Sequence, residues 1–166
     1  MKKVAFALLL LVAYSQAQSN TSDIDKAVLM TVSDAYSQCA AYYDMMNSVL
    51  SKSNQADLAS NAVSMKSKSE LMATAVAEQI FSPTLSNPQL LKAKVESFTD
   101  GNYKAAINKL MKMTSTGSNG VAEVSKQYQS GCHTAIYEPG KFSDSVAQSF
   151  QSSKQPAIPG GATIKN

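Results

Sequence analysis

The chain has 166 residues, 15 lysines and no arginine against 12 acids, and no tryptophan, with a formal charge of +3. That length supports one domain with one core. The small charge gives no broad field for nucleic acid or anionic lipid, and without arginine there is no fork-shaped donor for phosphate or guanine.

Residues 1–17 read as an export signal. Lys2 and Lys3 supply the positive start, Val4 to Ala13 the apolar core, and Ser15 and Ala17 the small-x-small exit. The apolar core is about ten residues, half of what a spanning helix needs. An uncut N-terminal anchor is the alternative. Cleavage leaves a chain starting at Gln18, with thirteen lysines against twelve acids. The expected address is periplasmic or secreted, with no transmembrane segment after cleavage. Residues 18–152 are expected to form a single helical-bundle domain.

The first helix spans about Asp23 to Ser51. Ser22 and Asp25 form a capping box with Asp in the place of Glu. Val28, Val32, Ala35, Cys39, Tyr42, Met46 and Val49 follow 4-3-4-3-4-3 spacing, an unbroken heptad seam. The second runs from about Gln55 to Phe81, with Ser53 or Asn54 as cap. Leu58, Ala62, Met65, Met72, Val76 and Ile80 mark its apolar stripe, with Ser69 a weak spot.

The third opens on Asn87-Pro88, a cap followed by proline at the first helical position, and continues to about Thr116. Its apolar residues are Leu91, Val95, Phe98, Ala105, Ala106, Leu110 and Met113. Asp100-Gly101-Asn102 could split it. A continuous, bent helix matches the first two in length and is favoured. The fourth runs from about Asn119 to Tyr137 with Val121, Val124, Tyr128, Cys132, Ala135 and Ile136 inward, and stops at Glu138-Pro139-Gly140. A short helix from Ser143 to Ser152 follows, with Phe142, Val146 and Phe150 four apart. Residues 153–166, carrying Pro156, Pro159, Gly160 and Gly161, read as a disordered tail.

The expected fold is therefore all-α: an antiparallel up-down four-helix bundle with a short extra C-terminal helix. Cys39 and Cys132 are the only cysteines, and in an oxidising compartment they read as one disulfide. Cys39 lies roughly 18 Å below the upper end of the first helix and Cys132 roughly 20 Å below the upper start of the fourth. In an up-down bundle those positions share one height and can bridge.

Catalytic motifs are missing. His133 is the only histidine, and Gln129 stands where a c-type haem site needs a second cysteine. No E-x-x-H, H-E-x-x-H, G-x-S-x-G or phosphate loop is present. Asp23, Asp25, Asp34, Asp44 and Asp57 read as cap and surface residues. The methionines read as core filling, with Cu(I) binding the alternative. Tyr42 and Tyr128 fall on the proposed seams beside the cysteine layer, either as a polar core layer or as the lining of a small cavity.

The expected function is a non-enzymatic exported protein that acts by contact with another envelope or extracellular protein, with no cofactor, no metal and no nucleic acid. The alternative is a bundle carrying a small ligand or a metal (copper or haem), with Tyr42, Tyr128 and His133 as its ligand-binding residues.

Overall fold

The computed structural model describes residues 23–115 and 119–153. The expected signal at 1–17, Ser22 of the capping box and the tail beyond Ser153 lie outside the described residues. Five helices follow one another: α1 (Asp23–Lys52), α2 (Ala56–Phe81), α3 (Pro88–Ser115), α4 (Gly120–Tyr137) and α5 (Pro139–Ser153). They pack as an all-α bundle whose core draws on every helix.

α1 occupies the middle and touches each of the other four. Its heptad seam accounts for only part of its burial. Val32, Ala35, Cys39 and Tyr42 on the seam are buried, but so are Ser33, Tyr36, Ser37, Gln38, Ala40 and Ala41 around the rest of the circumference. A helix surrounded on all sides normally reads as apolar all round. Here serine and alanine take that role, because small side chains let neighbouring backbones come close. The hydroxyls remain satisfied: Ser33 Oγ donates to Ala73 O of α2 at 2.9 Å, and Ser37 Oγ to Ser33 O at 3.1 Å.

Two helix pairs set the register. Ser33 meets Ala73 and Asp44 meets Lys66, so α1 and α2 run antiparallel. Tyr36 meets Ala135, Cys39 joins Cys132, Tyr42 stacks on Tyr128, and Met46 meets Ser125, so α1 and α4 also run antiparallel. Of the expected α2 stripe, Ala62, Met65, Val76 and Ile80 are buried and Met72 packs against the core. Ser69 is fully buried within it, its hydroxyl donating to Met65 O at 3.0 Å, whereas Leu58 is 53% exposed. Ala59, Ala73 and Ala77 are buried as well, and Ala73 meets α1 at Ser33, where small side chains let the two helices come close. On α3, Ala106 is buried and Ala105 is exposed.

The boundaries follow local chemistry. Asn87 Oδ1 accepts from the backbone N–H of Gln89 at 2.9 Å and of Leu90 at 3.1 Å, which makes the expected cap of α3. The cap expected at Ser53 or Asn54 is not formed. Gln55 precedes α2 without a side-chain cap bond, and Asn54 takes a left-handed conformation (φ 56°) that ends α1. Glu138-Pro139-Gly140 breaks the chain for only one residue. Pro139 starts α5 four residues before the expected Ser143, because proline lacks only an N–H that the first turn leaves unbonded anyway. Phe142 and Val146 of α5 are buried, and the Phe142 ring lies 5.2 Å from that of Tyr36.

Asp100-Gly101-Asn102 does not split α3, which is continuous through it. Asp100 and Lys104 pair one turn apart at 2.6 Å, and a Cβ at Gly101 would meet nothing within 4 Å. Gly101→Ala is therefore expected to raise stability by about 0.5–1 kcal/mol in urea unfolding. Gly120 is the opposite case. A Cβ there would lie 2.5 Å from Thr114 O, so the chain can pass from α3 into α4 this closely only without a side chain.

Candidate functional site

The disulfide layer lies at the α1–α4 contact. Cys39 and Cys132 are bonded, with Cα atoms 5.3 Å apart and neither residue exposed. Tyr42 and Tyr128 stack beside this bond with ring centroids 6.0 Å apart, and Tyr43 tilts against Tyr42 at 5.0 Å. Both stacked rings are buried, at 3% and 1% exposure, so they fill the layer themselves. Burial raises the Tyr42 and Tyr128 phenols, the latter to about 12, with the Asp34 charge adding to the Tyr128 shift. Of the three residues expected to hold a ligand, the fold brings Tyr42 and Tyr128 together. His133 follows Cys132 by one helical step, faces away from that layer and is exposed.

From Tyr128 a polar chain leads toward α3. The Tyr128 hydroxyl donates to Gln38 Oε1 over a long 3.4 Å, and Gln38 Nε2 donates to Asp34 Oδ2 at 2.8 Å. Gln38 and Asp34 sit one turn apart on α1, which aligns them. Lys109 of α3 holds its Nζ 6.0 Å from the Tyr128 ring centroid. Asp34, expected on the surface, is partly buried. Desolvation pushes its carboxyl above the usual range, against the Gln38 hydrogen bond and the Lys109 charge. Lys109 is lowered by its own desolvation, against the pull of Asp34. Asp34 also lines an open groove of about 250 Å³ between α1 and α3, with Met30, Thr31, Phe98 and Asn102. Asn102 Nδ2 is buried there with no hydrogen-bond partner among the described residues.

A second carboxylate expected on the surface, Asp44, ties three helices. Its Oδ1 lies 2.8 Å from Lys66 Nζ of α2, and its Oδ2 accepts from the Tyr103 hydroxyl of α3 at 2.6 Å. Partial burial pushes Asp44 up, but the bonds from Lys66 and Tyr103 outweigh it, and its carboxyl is held below the usual range. Burial and the same contact push Tyr103 up to about 12. A depressed carboxyl stabilises the fold above its unfolded pKa, and that contribution is lost as pH falls through the folded value. Asp44→Asn is therefore expected to reduce the loss of stability as pH falls below about 4, read from urea unfolding at each pH.

An exposed cluster of an aromatic ring, an imidazole and an ammonium lies between α2 and α4. Tyr137 is 52% exposed. His133 lies against it with ring centroids 4.5 Å apart, and Lys68 Nζ stands 5.6 Å from the Tyr137 centroid. The Tyr137 hydroxyl points to Met65 Sδ at 3.7 Å. His133 and Tyr137 meet because they are four apart on one helix face, a spacing visible in the sequence. Lys68 arrives from α2, and no local pattern announces it. The sequence likewise gave no sign that Lys109 and Phe98 of α3 would close around Asp34.

Among the described residues no group of three or more His, Cys, Asp or Glu could hold a metal ion, and no helix is long and apolar enough to cross a membrane. No family model, curated protein or solved structure matches the chain.

Proposed function

We propose that the protein is exported after loss of residues 1–17 and acts, without catalysis, by binding another envelope or extracellular protein through the face where Tyr137, His133 and Lys68 meet. The observation that carries this reading is the half-exposed Tyr137, flanked by an imidazole and an ammonium. Tyrosine is enriched among residues that dominate binding energy at interfaces, since it offers a large apolar ring with a polar tip at small entropic cost. Here two neighbours already restrain the ring. The Cys39–Cys132 bond supports the export part of the reading, because disulfides persist in oxidising compartments.

A photo-cross-linking residue at position 137, expressed in the native host, tests the contact. It is expected to capture one protein that the same probe at exposed Lys92 of α3 does not. With that partner purified, Tyr137→Ala should weaken binding roughly 30-fold or more, the level of an interface hot spot. Equal capture from both positions, or unchanged affinity of the variant, contradicts the reading. Intact mass of the exported protein without reductant tests the address. It should give a chain beginning at Gln18, two hydrogens lighter than the dithiol.

A further inference from the structure

We propose that the groove between α1 and α3 binds the ammonium group of a small free alkylamine, with Asp34 as its counter-charge and Phe98 and Met30 around its carbon chain. This site is separate from the Tyr137 face and goes beyond the contact reading.

The chemistry of the lining leads to this ligand. Asp34 Oδ2 is taken by Gln38 Nε2, and among the described residues Oδ1 accepts no hydrogen bond. No cation lies within 4.0 Å of the carboxylate: Lys109 acts on it only through its charge from farther off, with its Nζ 6.0 Å from the Tyr128 ring centroid. Thr31 lines the same groove. Its hydroxyl proton goes to Ala27 O at 2.9 Å, so its oxygen lone pairs remain to accept. An ammonium carries three donors and no acceptor. It matches a carboxylate oxygen beside a hydroxyl oxygen. The rest of the wall is the Phe98 ring and the Met30 thioether, and both suit a short alkyl chain next to a cation.

Size narrows the ligand further. At about 250 Å³ the groove falls below the range of roughly 300–1,000 Å³ typical of sites for drug-sized molecules. A short amine fits within it. Asn102 Nδ2 plays no part, because its own burial keeps it from a ligand. The desolvated carboxylate is also a cost to the fold that a bound cation would offset, and such groups gather at functional sites.

The test uses the full oxidised mature chain and n-butylammonium chloride as probe, followed by amide chemical shifts. The expected result is saturable shifts confined to residues 30–34 and 98–102. Asp34→Asn should weaken binding at least tenfold. That variant keeps its shape and an oxygen for Gln38, and loses the buried charge, so it should fold at neutral pH with undiminished stability; circular dichroism and thermal unfolding verify this. Phe98→Leu should weaken binding several-fold while preserving the charge. Four outcomes overturn the proposal: no saturation by the amine, equal binding to Asp34→Asn, 1-butanol binding as tightly as the amine, or a lysine-containing peptide binding where the free amine does not.

Discussion

Reducing the Cys39–Cys132 bond is expected to lower unfolding stability by about 4.6 kcal/mol, the loop-closure value for residues 93 apart in sequence. The bond joins the central helix to α4, so its loss frees the unfolded chain over most of the bundle's length. The comparison should be made on one sequence, oxidised against reduced, by urea unfolding. Replacing both cysteines with alanine adds a packing defect, because both are fully buried, and should cost more than reduction alone. A difference under about 1 kcal/mol between the oxidised and reduced forms would mean that the reduced chain already holds α1 and α4 together without the bond.

The second large effect is expected at Tyr128. Its ring is 1% exposed and packs on Tyr42 beside the disulfide. Tyr128→Ala should cost about 3–5 kcal/mol, the range for removing a buried aromatic ring. Tyr128→Phe should cost about 1 kcal/mol or less, because it removes only the 3.4 Å bond to Gln38. The contrast separates packing from hydrogen bonding at one position, and urea unfolding of the two variants measures it. The buried and partly buried phenols also set an alkaline limit. Tyr43, Tyr103 and Tyr128 are each raised to about 12. For an acid raised in the folded state, stability falls as pH climbs past the unfolded value of about 10, where unfolding lets the phenol ionise.

The parts of the fold that were legible in the sequence rest on local or periodic signals. Asn87-Pro88 starts α3 because cap and proline chemistry act within a few residues. The 4-3 spacing around Cys39, with the helix lengths, placed the two cysteines at one height, and they are bonded. What stayed hidden depends on distant partners. α1 is buried all round through Ser33, Ser37, Ala40 and Ala41, residues that look like a solvated face until four neighbouring helices surround them. Leu58 misled for the converse reason: its apolar character fits the stripe, but it is 53% exposed while its neighbour Ala59 is buried. At the candidate sites, the i,i+4 pairs Asp34–Gln38 and His133–Tyr137 could be found from spacing. Their cross-helix neighbours Lys109, Phe98 and Lys68 could not, since nothing local fixes which helix faces meet.

The central claim is that the middle of α1, residues 35–42, is the buried axis of the bundle, packed by the four other helices. Native-state hydrogen exchange reads this directly. Backbone amides of residues 32–42 should be the slowest in the oxidised protein, exchanging only through global unfolding, while those of α5 open at lower free energy. Amides 32–42 exchanging as fast as those of α5 would contradict the account.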